Sequence, residues 1–164
     1  MRMALEMQQR LAALNVKWRS AGIEQPFQVR MGISTGFCNV GNFGSVDRMD
    51  YTIVGAEANL AARLQAIAAP DSIVMSYEAY ALTRDMVTAT QLPPIVMKSI
   101  GREVVPYAVT GVIDTAGNTF PIFNEHQTGL DFYLDPSMMD ASRAEHVRNL
   151  LQNALKTLEK SRQT

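Results

Sequence analysis

The chain predicts an α+β fold, an antiparallel or mixed sheet with helices on one face. Three observations predict it. Apolar residues recur at helical spacing near both ends of the chain. Short alternating or β-rich runs lie between them. The elements follow the order helix, strand, strand, helix, strand, helix, strand pair, which is not the strict alternation of a parallel α/β sheet. A length of 164 residues gives one domain room for a sizeable core.

The first helix is expected over residues 2–20, where Met3, Met7, Leu11, Leu14 and Trp18 form an apolar stripe. Gly22 stops it and Pro26 follows. The run "FQVRMGIST" alternates, so Phe27, Val29, Met31 and Ile33 face one way along a half-buried strand. The glycine-rich stretch 36–55 reads as two short strands in a flexible hairpin, the second over 51–54. Cys38 falls in it as a small buried filler. A helix over 56–68 follows, with Leu60, Leu64 and Ile67 as its core stripe. "SIVMS" is a short buried strand and "YEAYALTRDM" a short helix. "PPIVMKSI" and "EVVPYAVTGV" form a strand pair around Gly101. Residues 113–139 read as a loop-rich connector in which "LDFYLDP" alternates briefly. Residues 140–164 carry Val147, Leu150, Leu151, Ala154, Leu155 and Leu158, an amphipathic helix. It either packs back on its own sheet or binds a partner. The divisions are therefore 1–112, 113–139 and 140–164.

Composition narrows the function. Lys plus Arg number 15 against 16 Asp plus Glu, so no basic surplus points to nucleic acid. One cysteine excludes an internal disulfide framework. No apolar run approaches the roughly 18 residues of a membrane span, and the N-terminus lacks a signal-peptide layout. A cytoplasmic domain is expected, with any membrane anchor only in regions upstream. The chain opens directly into helical periodicity with no cap before it, as a piece of something longer would. His126 and His146 have no cluster of ligand residues around them, so zinc is not expected. "GNFGS" lacks the Lys-Ser/Thr ending of a P-loop and reads as a turn.

One pair stands out in "MDYTIVGAEANLAARLQ". Asn59 and Arg63 sit four residues apart on one helix face, beside the leucine stripe. Arg offers a planar fork of donors suited to phosphate oxygens. Asn offers both donor and acceptor. Alone, such a pair is either a ligand clamp or an exposed helix edge.

Its surroundings carry a resemblance. Arg30 precedes the segment 32–36, Gly-Ile-Ser-Thr-Gly, and a glycine hairpin spans 41–44. Arg48, Tyr51 and Thr52 follow, then Gly55, Asn59, Ala61, Ala62, Arg63 and Leu64. "VMKSIGREVVPYAV" places Lys98 before a last strand. Over roughly residues 1–110 this order resembles the C-terminal half of the class III adenylate/guanylate cyclase catalytic domain. The resemblance implies a partial ferredoxin-like nucleotidyl cyclase fold plus a C-terminal helix. It implies a bacterial adenylate cyclase turning ATP into 3′,5′-cyclic AMP and pyrophosphate at a homodimer interface. Asn59 would orient the ribose and Arg63 would bind the α-phosphate in the transition state. Thr52 would read the base, with Lys98 and Arg48 near the triphosphate.

Two departures qualify this. The family's two metal-binding aspartates belong to a Phe-x-Asp-Ile strand and a Gly-Asp hairpin, and neither context occurs here. The Mg²⁺ or Mn²⁺ of the full-length enzyme therefore has no expected ligand in this chain, which is expected to be inactive alone. "GAEAN" also replaces the commoner Gly-Asp-x-Val-Asn, Ala56 removing a carboxylate and Glu57 supplying one. Guanylate cyclase activity and a non-catalytic nucleotide-binding or regulatory domain stay open. A ferredoxin-like RNA-binding module would need aromatic pairs on an open sheet face, and "FQVRMGI" offers only Phe27.

Overall fold

The computed structural model describes residues 1–23, 27–45, 48–97 and 101–161. Helix α1 (Arg2–Ser20) leads to strand β1 (Met31–Ile33). A long hairpin follows, β2 (Asn39–Ser45) and β3 (Arg48–Val54), and then helix α2 (Ala56–Ile67). Strand β4 (Ile73–Met75), the short helix α3 (Tyr77–Ala81) and strand β5 (Val87–Gln91) come next. A small hairpin, β6 (Ile95–Met97) with β7 (Arg102–Val104), precedes strand β8 (Tyr107–Ile113). The C-terminal segment holds β9 (Thr119–Pro121), β10 (Phe123–Gln127), β11 (Leu130–Leu134) and helix α4 (Ala141–Ser161).

The central sheet is mixed. β1 runs parallel to β4, while β4, β5 and β9 all pair antiparallel with β8. β5 takes one edge of β8. β4 and β9 share the other, β4 at residues 107–108 and β9 at 111–113. The remaining described strands form three hairpins, β2–β3, β6–β7 and β10–β11.

Strand β4 organises the core. All three of its residues are buried, and successive side chains point to opposite faces. Ile73 and Met75 join Ala4 and Leu5 of α1, Ala79 of α3 and Val87 of β5. Val74 joins Leu60 and Leu64 of α2, with Ala68 and Val104. The α+β class and mixed sheet are as expected, but the helices do not share one face. α1 and α3 lie on one side and α2 on the other, because Val74 points the opposite way from its neighbours.

Gly32 fixes α2 against the sheet. A Cβ there would overlap the Ala61 carbonyl oxygen and the Gln65 amide nitrogen. Only a residue without a side chain lets strand and helix backbone approach so closely. Ser34, just past β1, donates its hydroxyl to the Glu57 carboxylate in the first turn of α2.

Several sequence expectations are corrected. On α1 the buried face is Ala4, Leu5 and Gln8, while Met3, Met7 and Leu14 of the expected stripe are exposed. Gln8 tolerates burial because its amide donates to the Asp71 carbonyl at 2.7 Å. Phe27 lies outside any strand, 60% exposed, and meets Trp18 edge-on. On α2, Ala68 rather than Ile67 completes the buried line, since Ile67 falls toward the Arg63 side. Cys38 is exposed, not a buried filler, because its hairpin stands off the core. "EVVPYAVTGV" divides at Pro106 into β7 and β8, proline having no N–H for a continuous ladder. Strand β5 was not expected at all, although Val87, Thr88 and Thr90 are β-branched. Within 113–139, where loops were expected, three strands form. Asp114 closes the β8–β9 turn by accepting hydrogen bonds from the Ala116 and Asn118 amides, both at 2.8 Å. Bonds from the Asn118 side chain and backbone are the main causes holding its carboxyl below the usual range.

Candidate functional site

Helix α2 carries the candidate site. Its inner line, Leu60 and Leu64, is fully buried, and this sets the orientation of the outer face. Asn59 and Arg63, one residue before each leucine, are both exposed. Neither side chain makes a hydrogen bond or ion pair among the described residues. The helix has no side-chain cap at Gly55, and Glu57 supplies the acidic residue of the first turn. That carboxylate favours the positive helix start and is engaged by Ser34. The pair is thus held on a rigid, well-anchored helix with its polar ends free.

Thr52 lies on β3, the strand that runs directly into α2, and is exposed. It pairs with Gly41, so no side chain faces it across the hairpin. Arg48 pairs with Ser45 at the far end of that hairpin. Six strand residues at roughly 3.3 Å each place it about 20 Å from the start of α2. Along β3, Thr52 is thus the nearer of the two to α2 and Arg48 the farther. Lys98 lies outside the described residues.

The hairpin is exposed and one of its faces is apolar. Val40, Met49, Tyr51 and Ile53 are each more than half exposed. An exposed apolar surface of that kind is unusual on a chain with no partner.

The donor set does not suit a two-metal centre. Among the described residues, no group of three or more His, Cys, Asp or Glu is placed to hold a metal ion. Glu57, the carboxylate on the helix bearing the pair, is committed to Ser34. No catalytic step through a metal can be built from these residues.

Sequence reasoning missed what holds the site together. Gly32 and Ser34 stood inside a quoted motif, but their contacts with α2 are long-range. A strand pattern alone does not show which helix a glycine will meet.

A mixed sheet thus carries α2 packed on Gly32, with Asn59 and Arg63 facing outward. The chain belongs to the adenylate and guanylate cyclase catalytic domain family, whose model matches residues 1–111. It is 32% identical over 120 residues to Adenylate cyclase 1 of Rhizobium meliloti (strain 1021), covering 72% of this chain and 18% of that protein. Among solved structures it is similar to the adenylyl cyclase CyaB of P. aeruginosa, with 42% identity and a TM-score of 0.59. That match covers 65% of this chain and 55% of CyaB. The guanylyl cyclase Cya2 is 31% identical with a TM-score of 0.59, over 70% of this chain and 57% of Cya2. The chain thus spans little more than half the length of these structures and a smaller share of the curated relative.

Proposed function

We propose that this chain is part of an adenylate cyclase and supplies the transition-state side of a site shared between two copies. The observation that carries the reading is the α2 pair, an exposed amide and guanidinium with no partner among the described residues. In this reading Asn59 orients the ribose while its 3′-oxygen attacks the α-phosphate in line. Arg63 meets the negative charge that builds on the α-phosphate oxygens, and pyrophosphate leaves. A preorganised donor of this kind contributes most where charge develops. Thr52, one strand earlier, reads the base. Lys98 and Arg48 act on the triphosphate. Arg48 then serves a site across the dimer, given its distance from α2. Divalent metal would supply activation of the hydroxyl and neutralisation of phosphate in the whole enzyme. Its ligands would come from outside this chain.

The exposed hairpin face of Val40, Met49, Tyr51 and Ile53 supports a homodimer. ATP is favoured over GTP because the named adenylyl cyclase is the more similar of the two structures, 42% identical against 31%. No described helix is long and apolar enough to cross a membrane.

In the full-length protein, Arg63→Ala is predicted to lower kcat by about a hundredfold or more. Circular dichroism should remain unchanged, because Arg63 is exposed. Near-normal turnover would remove Arg63 from the mechanism. A non-catalytic nucleotide-binding or regulatory domain is the second reading. The isolated chain with ATP and Mn²⁺ is predicted to form no cyclic nucleotide on either reading. Product there would place a metal site within this chain. A full-length protein that binds ATP without turnover would select the second reading.

A further inference from the structure

Helix α2 is held to the sheet at two separate points. Near its middle, the Gly32 backbone meets it at Ala61 and Gln65. At its start, side chains make the hold. Gly55 gives the helix no side-chain cap, and its carbonyl accepts from the Asn59 amide at 3.3 Å. Glu57, in the first turn, reaches back to the segment that leaves β1, where the Ser34 hydroxyl donates to its carboxylate. Its stem lies over Gly36, where a Cβ would come within 2.6 Å of Glu57 Cγ. Ser34 and Glu57 are both half-buried. Ser34, Gly36 and Glu57 thus close a latch between the end of β1 and the first turn of α2.

The latch sets a direction as well as a place. Glu57, Ala61 and Leu64 recur at i, i+4 and i+7, so they share the inward side of the helix. Asn59 is two residues from Glu57, roughly 200° round at about 100° per residue, and so faces outward. Fixing Glu57 inward fixes where the Asn59 amide points. Asn59 lies about 3 Å along the axis from Glu57 and Arg63 about 9 Å, at roughly 1.5 Å per residue. Arg63 falls instead between Ala61 and Gln65, the two residues seated on Gly32. The two members of the pair are therefore held by different contacts.

We propose that Ser34 and Glu57 are positioning residues for the cyclase reaction and act through Asn59. The hydroxyl–carboxylate bond holds the first turn of α2 so that the Asn59 amide meets the ribose in reactive alignment. This rests on the reading of Asn59 given above. No other side-chain hydrogen bond among the described residues ties that turn. A misplacement of about 1 Å at a reacting group costs on the order of a hundredfold in rate, so a small rotation of the turn is enough to matter.

The test is steady-state kinetics with ATP in the full-length protein, with thermal unfolding recorded for each variant. Ser34→Ala is expected to lower kcat about tenfold or more with KM nearly unchanged. Ser34→Thr keeps the hydroxyl and is expected to recover most of that loss. Glu57→Ala is the second variant and is expected to match Ser34→Ala, the double variant being no slower than either alone. In an Asn59→Ala background the Ser34→Ala penalty is expected to vanish, because the group it positions is gone. In an Arg63→Ala background it is expected to persist. Loss of fold alone would lower the rate by the same factor in both backgrounds. Wild-type turnover in folded Ser34→Ala or Glu57→Ala, or an equal penalty in the two backgrounds, would overturn the proposal and leave the reading of Asn59 standing. Wild-type turnover in Asn59→Ala, or no turnover in the wild type, would overturn that reading and the proposal together.

Discussion

Thr52 and Gly41 face each other across the β2–β3 ladder, so no side chain stands opposite the exposed threonine. If Thr52 reads the adenine amine, it does so through one neutral hydrogen bond. Such a bond is worth roughly 1 kcal/mol, or about fivefold. Thr52→Ala in the full-length protein is therefore predicted to reduce the ATP-over-GTP ratio of kcat/KM by about that factor, with little loss of kcat. An unchanged ratio would take Thr52 out of base reading. Arg63 differs in kind, because a guanidinium acting on developing charge affects rate far more than substrate choice. The α2 pair was legible because residue type and i, i+4 spacing are local properties. Their lack of partners among the described residues was not, since that depends on what the rest of the fold brings near.

At the scale of elements, the joint between β1 and α2 determines where the site points. Gly32→Ala would drive a methyl into the backbone of α2 at Ala61 and Gln65. Overpacking of this kind costs about 1–3 kcal/mol. Thermal unfolding should shift down by several degrees, with weaker cyclase activity in the full-length protein as α2 is displaced. Unchanged stability would mean that the helix is not seated as described. Helix and strand identities near this joint were readable from periodicity. Burial was less so. Met3 and Met7 look like a core stripe by hydrophobicity, yet Ala4, Leu5 and Gln8 are inside. A glutamine enters because a turn sixty-three residues away offers it a carbonyl. Strand β5 escaped notice because its threonines blur the apolar alternation. The strands beyond residue 113 escaped because their partners are β8 and each other.

For the whole molecule, the C-terminal segment is the part the family match leaves out. It contributes β9 to the central sheet and sets β11 near α1. Helix α4 begins with Asp140 accepting from the Arg143 amide, and its Leu150, Leu155 and Leu158 are exposed. Tyr133 reports on this segment through pH. Its pKa is raised in the folded chain, so folding favours the neutral phenol. That contribution is fully present below the unfolded value of about 10 and is lost as pH rises toward about 12. Stability should fall across that window, and Tyr133→Phe should flatten the fall. Identical alkaline limbs in urea unfolding would show that Tyr133 is not buried in this way.

The central claim is that the α2 pair acts in a site completed by a second copy. The most direct test adds this chain in excess to full-length protein carrying Arg63→Ala. The chain brings Asn59 and Arg63, and the variant brings what this chain lacks. Cyclic AMP formation should recover with added chain, and not with a chain that itself carries Arg63→Ala. No recovery while sedimentation shows the two proteins in complex would contradict the shared site. Equal recovery with either chain would contradict the role of Arg63.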